Sequence, residues 1–386
     1  MDGTGRRTTR AVVLEKPGEP VHVEDLELDG PRAGEVLVRI AASGVCHSDL
    51  HHANGDWGDD GPMVLGHEGA GYVEEVGPGV EGLRPGELVA LSWYYPCLSC
   101  DACRADAPWR CTGTRSLQNR LPDGRTPLHR PDGTEVVPLL AIGTFSERCV
   151  VPAQAAIRMP PVVAPEIAAL IGCAVTTGVM AVLRTADVQR GSSVVVIGLG
   201  GVGLSIVMGA VVAGAGPIVA VDRIDEKLVR ARELGATHVV TATDDREATL
   251  AAIEEATGGG AQYAFEAIGL PATLELAVDV LRHGGTAVAV GIPPFGARAS
   301  FDVGVLVDKS ASIVGSNYGW SNPAVDFPRL AELHLAGRLP VERLIEERIG
   351  LNDVGRALDA LARGDGLRRV VVFEGAPGRD GAQQDP

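Results

Sequence analysis

Residues 194–209, VVVIGLGGVGLSIVMG, constrain the chain more than any other stretch. An apolar, β-branched run ends in Gly198, Gly200 and Gly203, spaced G-x-G-x-x-G, and passes directly into an apolar stretch of helical character. A tight glycine turn between a buried strand and a helix opens a β-α-β unit, whose crossover lays parallel strands side by side. The N–H groups and positive dipole end of that helix favour a phosphate, and the glycines let a pyrophosphate approach the backbone. Asp222 ends the next apolar run, IVAVD, where its carboxylate is placed to accept both hydroxyls of a ribose. That charge repels a 2′-phosphate, so NAD is expected over NADP, while Arg223 beside it could stack on adenine or receive the phosphate. The apolar run from Val194 to Val221 is long enough to cross a bilayer, but it holds seven glycines. It reads as a buried strand and helix, and no membrane association is expected.

From about residue 190 the pattern alternates between strand runs (SVVVIG, PIVAVD, THVVT, YAFEAIG, GTAVAVGI, ASIVGSN) and helical runs (DEKLVRARELG, REATLAAIEEATG, ATLELAVDVLRHGG). Regular alternation predicts an α/β doubly wound parallel sheet with helices on both faces. Up to about residue 160 the texture is short β runs broken by Gly and Pro, with PDG at Pro122 and again at Pro131 suggesting a hairpin excursion. After residue 322 come two helical runs, a terminal β run RRVVVF, and a polar tail from about residue 375 expected to be disordered. At 386 residues, two domains are the default. Only 4% of residues are aromatic, so the cores must rest on Val, Leu, Ile and Ala. A formal net charge of −16 excludes nucleic acid and anionic lipid as natural partners. The first twenty residues lack the apolar stretch of an export signal, so a cytoplasmic location is expected.

In a reducing compartment, closely spaced cysteines bind metal more often than they pair. Cys97, Cys100, Cys103 and Cys111 form C-x2-C-x2-C-x7-C. Four thiolates closing a tetrahedron make a full structural zinc site with no position for water or substrate. An iron–sulfur cluster or disulfides are the alternatives, though the run lacks the Cys-Pro ending of bacterial ferredoxins. A second, scattered set is Cys46 in GVCHSDLHH, His67 and Glu68 in LGHEGAG, and Cys173 in IGCAVTTG. Cys46, His67 and Cys173 are three soft ligands that leave a fourth position open, as a catalytic zinc requires.

With both metal sets and the glycine turn in this order, the chain resembles the zinc-dependent medium-chain alcohol dehydrogenases over nearly its whole length. GHEGAGYVEEVGPGV fits the family's G-H-E-x2-G-x5-G-x2-V signature at every fixed position. The resemblance implies a GroES-like β-rich catalytic domain with a structural-zinc lobe over 1–175 and a Rossmann NAD-binding domain over 176–322. It also implies that segment 323–386 returns to the catalytic domain. Two zincs per chain follow, one catalytic on Cys46, His67 and Cys173 with Glu68 behind it, one structural on the four clustered cysteines. Asp49 would orient His67, Ser48 would contact the alcohol oxygen, and His51 would pass the proton outward. For the cofactor, the resemblance implies His47 and Arg368 at the pyrophosphate, Thr177 near the nicotinamide and Lys227 at the adenosine ribose. Gly201 and Val202 within the glycine turn, and Ile292, complete the cofactor set. Cys149 matches no ligand position and is left as a buried free thiol.

The implied activity is reversible hydride transfer between an alcohol, short aliphatic or aromatic with primary favoured, and NAD, in a homodimer or a tetramer. Trp57 and Trp93 fall at positions lining the family's substrate channel, and Ala141 at another usually held by a larger residue. Segment 112–140 resembles the insertion of the formaldehyde-oxidising class III branch, and Arg115 falls where that class binds the carboxylate of a thiol adduct. The loop HHANGDWGDDGP is shorter than in that class, and its Trp57, expected to be buried, suits an apolar alcohol. A thiol-dependent formaldehyde dehydrogenase is therefore the alternative. A catalytically silent dinucleotide-binding protein would have lost a ligand or the proton path, and all of these residues are present.

Overall fold

The computed structural model describes residues 6–58, 61–365 and 367–374, so the tail expected to be disordered lies outside the described residues. The chain groups into two compact units. One comprises the residues up to Cys173, Pro323–Glu332 and the residues from Ile345 onward; the other comprises Ala174–Asn322 with Leu333–Leu344. Residues 333–344, within the segment expected to return whole to the catalytic domain, thus belong to the second unit.

In the first unit five short strands close a barrel in the order Arg7–Leu14, His22–Leu28, Leu128–His129, Glu135–Pro138 and Met63–Val64. The second PDG turn joins Leu128–His129 to Glu135–Pro138 as an antiparallel hairpin, with the Arg130 N–H donating to Thr134 O at 2.9 Å. The excursion is therefore part of the barrel wall rather than an appendage. Its side chains Leu128 and Val136 join Ala11, Val13, Leu26 and Leu37 in one buried cluster. In the unit's second sheet Glu35–Gly44 is central, paired with Glu68–Val76, Arg148–Pro152 and the late strand Arg368–Val372. Glu35–Gly44 leads to the helix His47–Asn54, and Glu68–Val76 begins beside its last residue, Gly44 opposite Glu68. This register carries Cys46, His67 and Glu68 to one end of the sheet.

The second unit is a six-stranded, wholly parallel sheet in the order His238–Thr241, Ile218–Asp222, Val194–Ile197, Ala261–Glu266, Leu281–Ala289 and Ser312–Gly315. The run from Val194 to Val221 is strand, helix (Gly201–Ala213) and strand, with both strands fully covered. A parallel sheet covered on both faces needs such unbroken apolar strands. Val195, Ile197, Val219, Val221, Ala264 and Ala287 form its core with Ile253 and Leu276 from the helices. One expectation is corrected: the helical run ATLELAVDVLRHGG ends at Asp279, and Leu281–Ala289 is strand. Leu281 pairs with Ala261 and is 2% exposed, and Gly284 takes a positive φ of 73°, so burial in the sheet and two glycines override the helical spacing. Among the described residues, Pro165–Thr185 is the one helix long and apolar enough to cross a bilayer, and most of it is buried within the protein.

Candidate active site and metal centres

Cys46 caps the start of the helix His47–Asn54 in an extended conformation. Asp49, in the first turn of that helix, is fully buried, and its carboxylate is shared three ways. Oδ2 accepts the Cys46 N–H at 2.9 Å, and Oδ1 accepts the Gly66 N–H at 3.1 Å and the His67 Nδ1–H at 3.0 Å. One carboxylate thus holds the backbone of Cys46 and of Gly66, the residue before His67, and sets the tautomer of His67. Cys173 enters from a wide π turn, Ile171–Val175, set between two α-helical segments, a distortion common where a helix must aim a side chain at a site. The ligand atoms of Cys46, His67, Glu68 and Cys173 all lie within 4.8 Å of one another, and all four residues are buried.

This donor set fits a metal ion. The buried Nε2 of His67 has no hydrogen-bond partner among the described residues, which is costly for an imidazole nitrogen unless something else binds it. A hydrogen bond from Cys173 holds the Cys46 thiol well below its usual range, with help from Arg368 and His67. The same contact, with burial, pushes Cys173 up. Burial pulls the His67 imidazole down, but the charges of Asp49 and Cys46 outweigh it and hold it well above the usual value. Glu68 is fully buried, and burial pushes its carboxyl up to about 7 against the pull of Arg368. Arg368 was expected at a pyrophosphate. Its side chain is buried, with Nη1 donating to Val45 O at 2.8 Å and Nη2 lying 3.3 Å from Glu68 Oε1.

Ser48 is half-buried and His47 exposed on the first turn of the same helix. His51 lies one turn further on, where its Nδ1 meets Asp56 Oδ2 at 2.7 Å. Trp57 is half-buried rather than buried, because its ring covers the end of the helix: it stacks on His51 (centroids 4.8 Å apart, planes at 27°) and meets His52 edge-on. Asp56 escaped the sequence reading, although its signal was local: an aspartate directly after the glycine that ends the helix. Trp93 and Ala141 are buried; Ala141 has a left-handed φ of 61°, next to Leu140, whose N–H is held by Asn119 Oδ1 at 2.7 Å. Arg115 is exposed and donates to Gln118 Oε1 at 3.0 Å. Cys149 is a buried thiol pushed far up by burial.

The four clustered cysteines converge as their spacing predicts, with their sulfurs within 4.8 Å of one another. All seven cysteines are free, and the sulfurs of Cys100 and Cys103 are 3.5 Å apart, far beyond a covalent bond. The disulfide alternative is thereby removed. The Ser99 hydroxyl and the backbone N–H groups of Ser99 and Cys100 hold the Cys97 thiol at about 5, while burial and the neighbouring thiols Cys100 and Cys111 push Cys103 up to about 12. The Tyr94 hydroxyl donates to Cys111 O at 2.7 Å and ties this lobe to the buried end of its own unit.

In the second unit the three glycines of the turn are not required for one reason. Gly198 has a φ of 92°, and a Cβ there would meet Ile268 at 2.3 Å; a Cβ on Gly203 would lie 1.8 Å from Gly198 O. Both are dictated by packing. A Cβ on Gly200 would meet nothing within 4 Å, so open space is kept at the N-cap of the helix, as an approaching pyrophosphate requires. Asp222 closes the strand beside it, accepting the Leu199 N–H at 2.8 Å and the Ile224 N–H at 3.1 Å. Arg223 is exposed and paired with Asp244. Lys227 and Thr177 are half-buried, and Ile292 is 47% exposed beside the Gly269 turn. Gly201 and Val202 open the helix.

A Rossmann-type parallel sheet with an open glycine turn, and a β-rich unit holding a four-cysteine cluster and a buried Cys/His/Glu set, define a zinc-binding dehydrogenase. Comparison with known proteins agrees. Residues 32–161 match the alcohol dehydrogenase GroES-like domain, and residues 201–334 match the zinc-binding dehydrogenase family. The chain is 36% identical to an NDMA-dependent alcohol dehydrogenase of Amycolatopsis methanolica, over 94% of this chain and 98% of that protein. It is 34% identical to an S-(hydroxymethyl)glutathione dehydrogenase of Paracoccus denitrificans, over 95% of this chain and all of that protein. The solved structure of benzyl alcohol dehydrogenase from Acinetobacter calcoaceticus superposes with a TM-score of 0.89 at 31% identity, covering 95% of this chain and 99% of that one. The chain belongs to the zinc-dependent medium-chain alcohol dehydrogenase family.

Proposed function

We propose that the protein is an NAD-dependent alcohol dehydrogenase that interconverts a primary alcohol, short aliphatic or aromatic, and its aldehyde. The convergence of Cys46, His67 and Cys173, with Asp49 holding His67, carries this reading: with Glu68 engaged by Arg368, three donors leave one position for substrate. When bound, zinc supplies Lewis acidity at the alcohol oxygen, and NAD accepts the hydride. The chain's own part is to hold His67 in one tautomer through Asp49, to receive the alcohol proton at Ser48 and to pass it outward through His51. Cys97, Cys100, Cys103 and Cys111 would hold a second, structural zinc that no substrate reaches.

NAD is favoured over NADP because the Asp222 carboxylate lies beside the open glycine turn and because Arg223, the cation that could neutralise a 2′-phosphate, is paired with Asp244. The buried Trp93 favours a flat or short apolar substrate, while Ala141, at a position usually held by a larger residue, leaves more room. Similarity to an S-(hydroxymethyl)glutathione dehydrogenase supports the thiol-dependent reading, but the exposed Arg115, bonded to Gln118, favours the simple alcohol. A panel of alcohols and aldehydes assayed with NAD and NADP, with and without low-molecular-weight thiols, tests the reading. NADP preference, or activity only with a thiol, would overturn it. A homodimer is part of the proposal: the edge strand Ser312–Gly315 is flanked by the exposed Val303, Val305 and Val307, and exposed edges with apolar neighbours are usually covered. Sedimentation of the purified chain as a monomer would remove that part.

A further inference from the structure

The helix His47–Asn54 ends at Gly55, which takes a left-handed φ of 78° and turns the chain back over its last turn. A Cβ at Gly55 would press on Pro17 at 2.7 Å, so the turn is fitted to glycine. In this turn the Asp56 N–H donates to the carbonyl of His51 at 3.0 Å, and the Asp56 side chain returns to the ring of the same residue, Oδ2 to Nδ1 at 2.7 Å. Main chain and side chain of Asp56 thus grip one histidine. Trp57, the next residue, stacks on its ring. A surface ion pair formed by chance is seldom held in two ways and covered on a face.

We propose that Asp56 is the positioning residue of the proton path: it fixes His51 as the Nδ1–H tautomer, so that Nε2 is the bare acceptor facing the incoming proton. This rests on the reading of His51 as the outer proton carrier. An ionised carboxylate accepts only, so a hydrogen bond at 2.7 Å requires that Nδ1 carry the proton. Nε2 then has the free lone pair. When a proton arrives there the ring becomes an imidazolium with both nitrogens protonated, and Asp56 offsets its charge. The proton taken up at Nε2 is then released from Nε2 to bulk water, which restores the Nδ1–H tautomer, and Asp56 remains ionised throughout. The logic is that of any acid–base histidine whose second nitrogen is oriented by a third group. Both side chains keep partial contact with solvent, 21% for His51 and 29% for Asp56, so release has an exit.

The test uses the full-length, zinc-loaded enzyme with NAD and benzyl alcohol as the probe, and four variants: Asp56→Ala, Asp56→Asn, His51→Gln and the double variant His51→Gln/Asp56→Ala. Nitrogen-15 NMR of histidine-labelled protein, with His51 assigned by its loss in His51→Gln, is expected to show the Nδ1–H tautomer in the wild type. In Asp56→Ala the His51 signals should move toward the Nε2–H form. Turnover of Asp56→Ala should fall about tenfold, less than the two or more orders typical of a direct proton-transfer partner, and should recover in imidazole buffer. Asp56→Asn keeps an acceptor and loses the charge, so its loss should be smaller. The double variant should be no slower than His51→Gln, because both act on one path. An Nε2–H His51 in the wild type, or unchanged turnover in Asp56→Ala beside a base-sensitive loss in His51→Gln, would overturn the role of Asp56 and leave the proton path standing. Unchanged turnover in His51→Gln itself would overturn the path and the proposal with it.

Discussion

Asp49 and His67 meet at 3.0 Å with side chains 0% and 1% exposed, and the same carboxylate oxygen also receives the Gly66 N–H. A buried aspartate in this position would orient a ligating histidine without itself binding the metal. Asp49→Asn keeps the volume but turns an amide NH2 group toward one or two of the three donors that the carboxylate accepts. Zinc bound at Cys46, His67 and Cys173 should weaken roughly 10- to 100-fold, the usual cost of losing an outer partner of a ligating histidine. Competition with a chelator, followed by metal analysis, measures it; unchanged affinity would remove Asp49 from the site.

Purified protein should carry close to two zincs per chain. Cys46→Ser should remove one and abolish turnover in a folded protein. Cys100→Ser should instead lower the melting temperature, because the four-cysteine lobe owes its folding free energy to the ion. Full activity with a single zinc would contradict the two-site assignment.

Gly200 and Gly203 stand three residues apart and should respond differently to alanine. Gly203→Ala brings a Cβ onto Gly198 O and should destabilise the second unit by about 1–3 kcal/mol, the scale of overpacking. Gly200→Ala meets only open space, so stability should hold while NAD binding weakens. Thermal denaturation and cofactor titration separate the two effects. Equal stability losses would mean that packing alone explains both glycines.

Asp222→Gly should raise the Michaelis constant for NAD and improve the use of NADP, since the ribose loses its acceptor and a 2′-phosphate loses a repelling charge. Because Asp222 also holds the Leu199 N–H, the loss for NAD should exceed the gain for NADP. Wild-type preference for NADP would reverse the assignment.

Arg115→Ala should leave kcat/KM for simple alcohols within about twofold, as expected of an exposed side chain bonded only to Gln118 among the described residues. If the substrate were a thiol adduct with a carboxylate, the same change would cost about 1.5–3 kcal/mol, the range for a hydrogen bond to a charged group. Steady-state kinetics on both substrate types decides.

What could be read from the sequence is what lies close along the chain. The glycine turn, the four cysteines within fifteen residues, the alternation of strand and helix and the pairing of His67 with Glu68 are set by covalent spacing and local periodicity. These needed no knowledge of the fold. Tertiary structure decided the rest, for a physical reason: burial rewards contacts without regard to their separation in sequence. The helical spacing of LRHGG gave way because Leu281 gains a place in the sheet opposite Ala261. The barrel closes because Met63–Val64 pairs with both Arg7–Leu14 and Glu135–Pro138. Glu68, stripped of water, is met by Arg368 three hundred residues later, brought there by the pairing of Val370 with Gly44, the residue opposite Glu68. A carboxylate in that position needs a cation, but which of the chain's many arginines supplies it depends on which strands lie side by side.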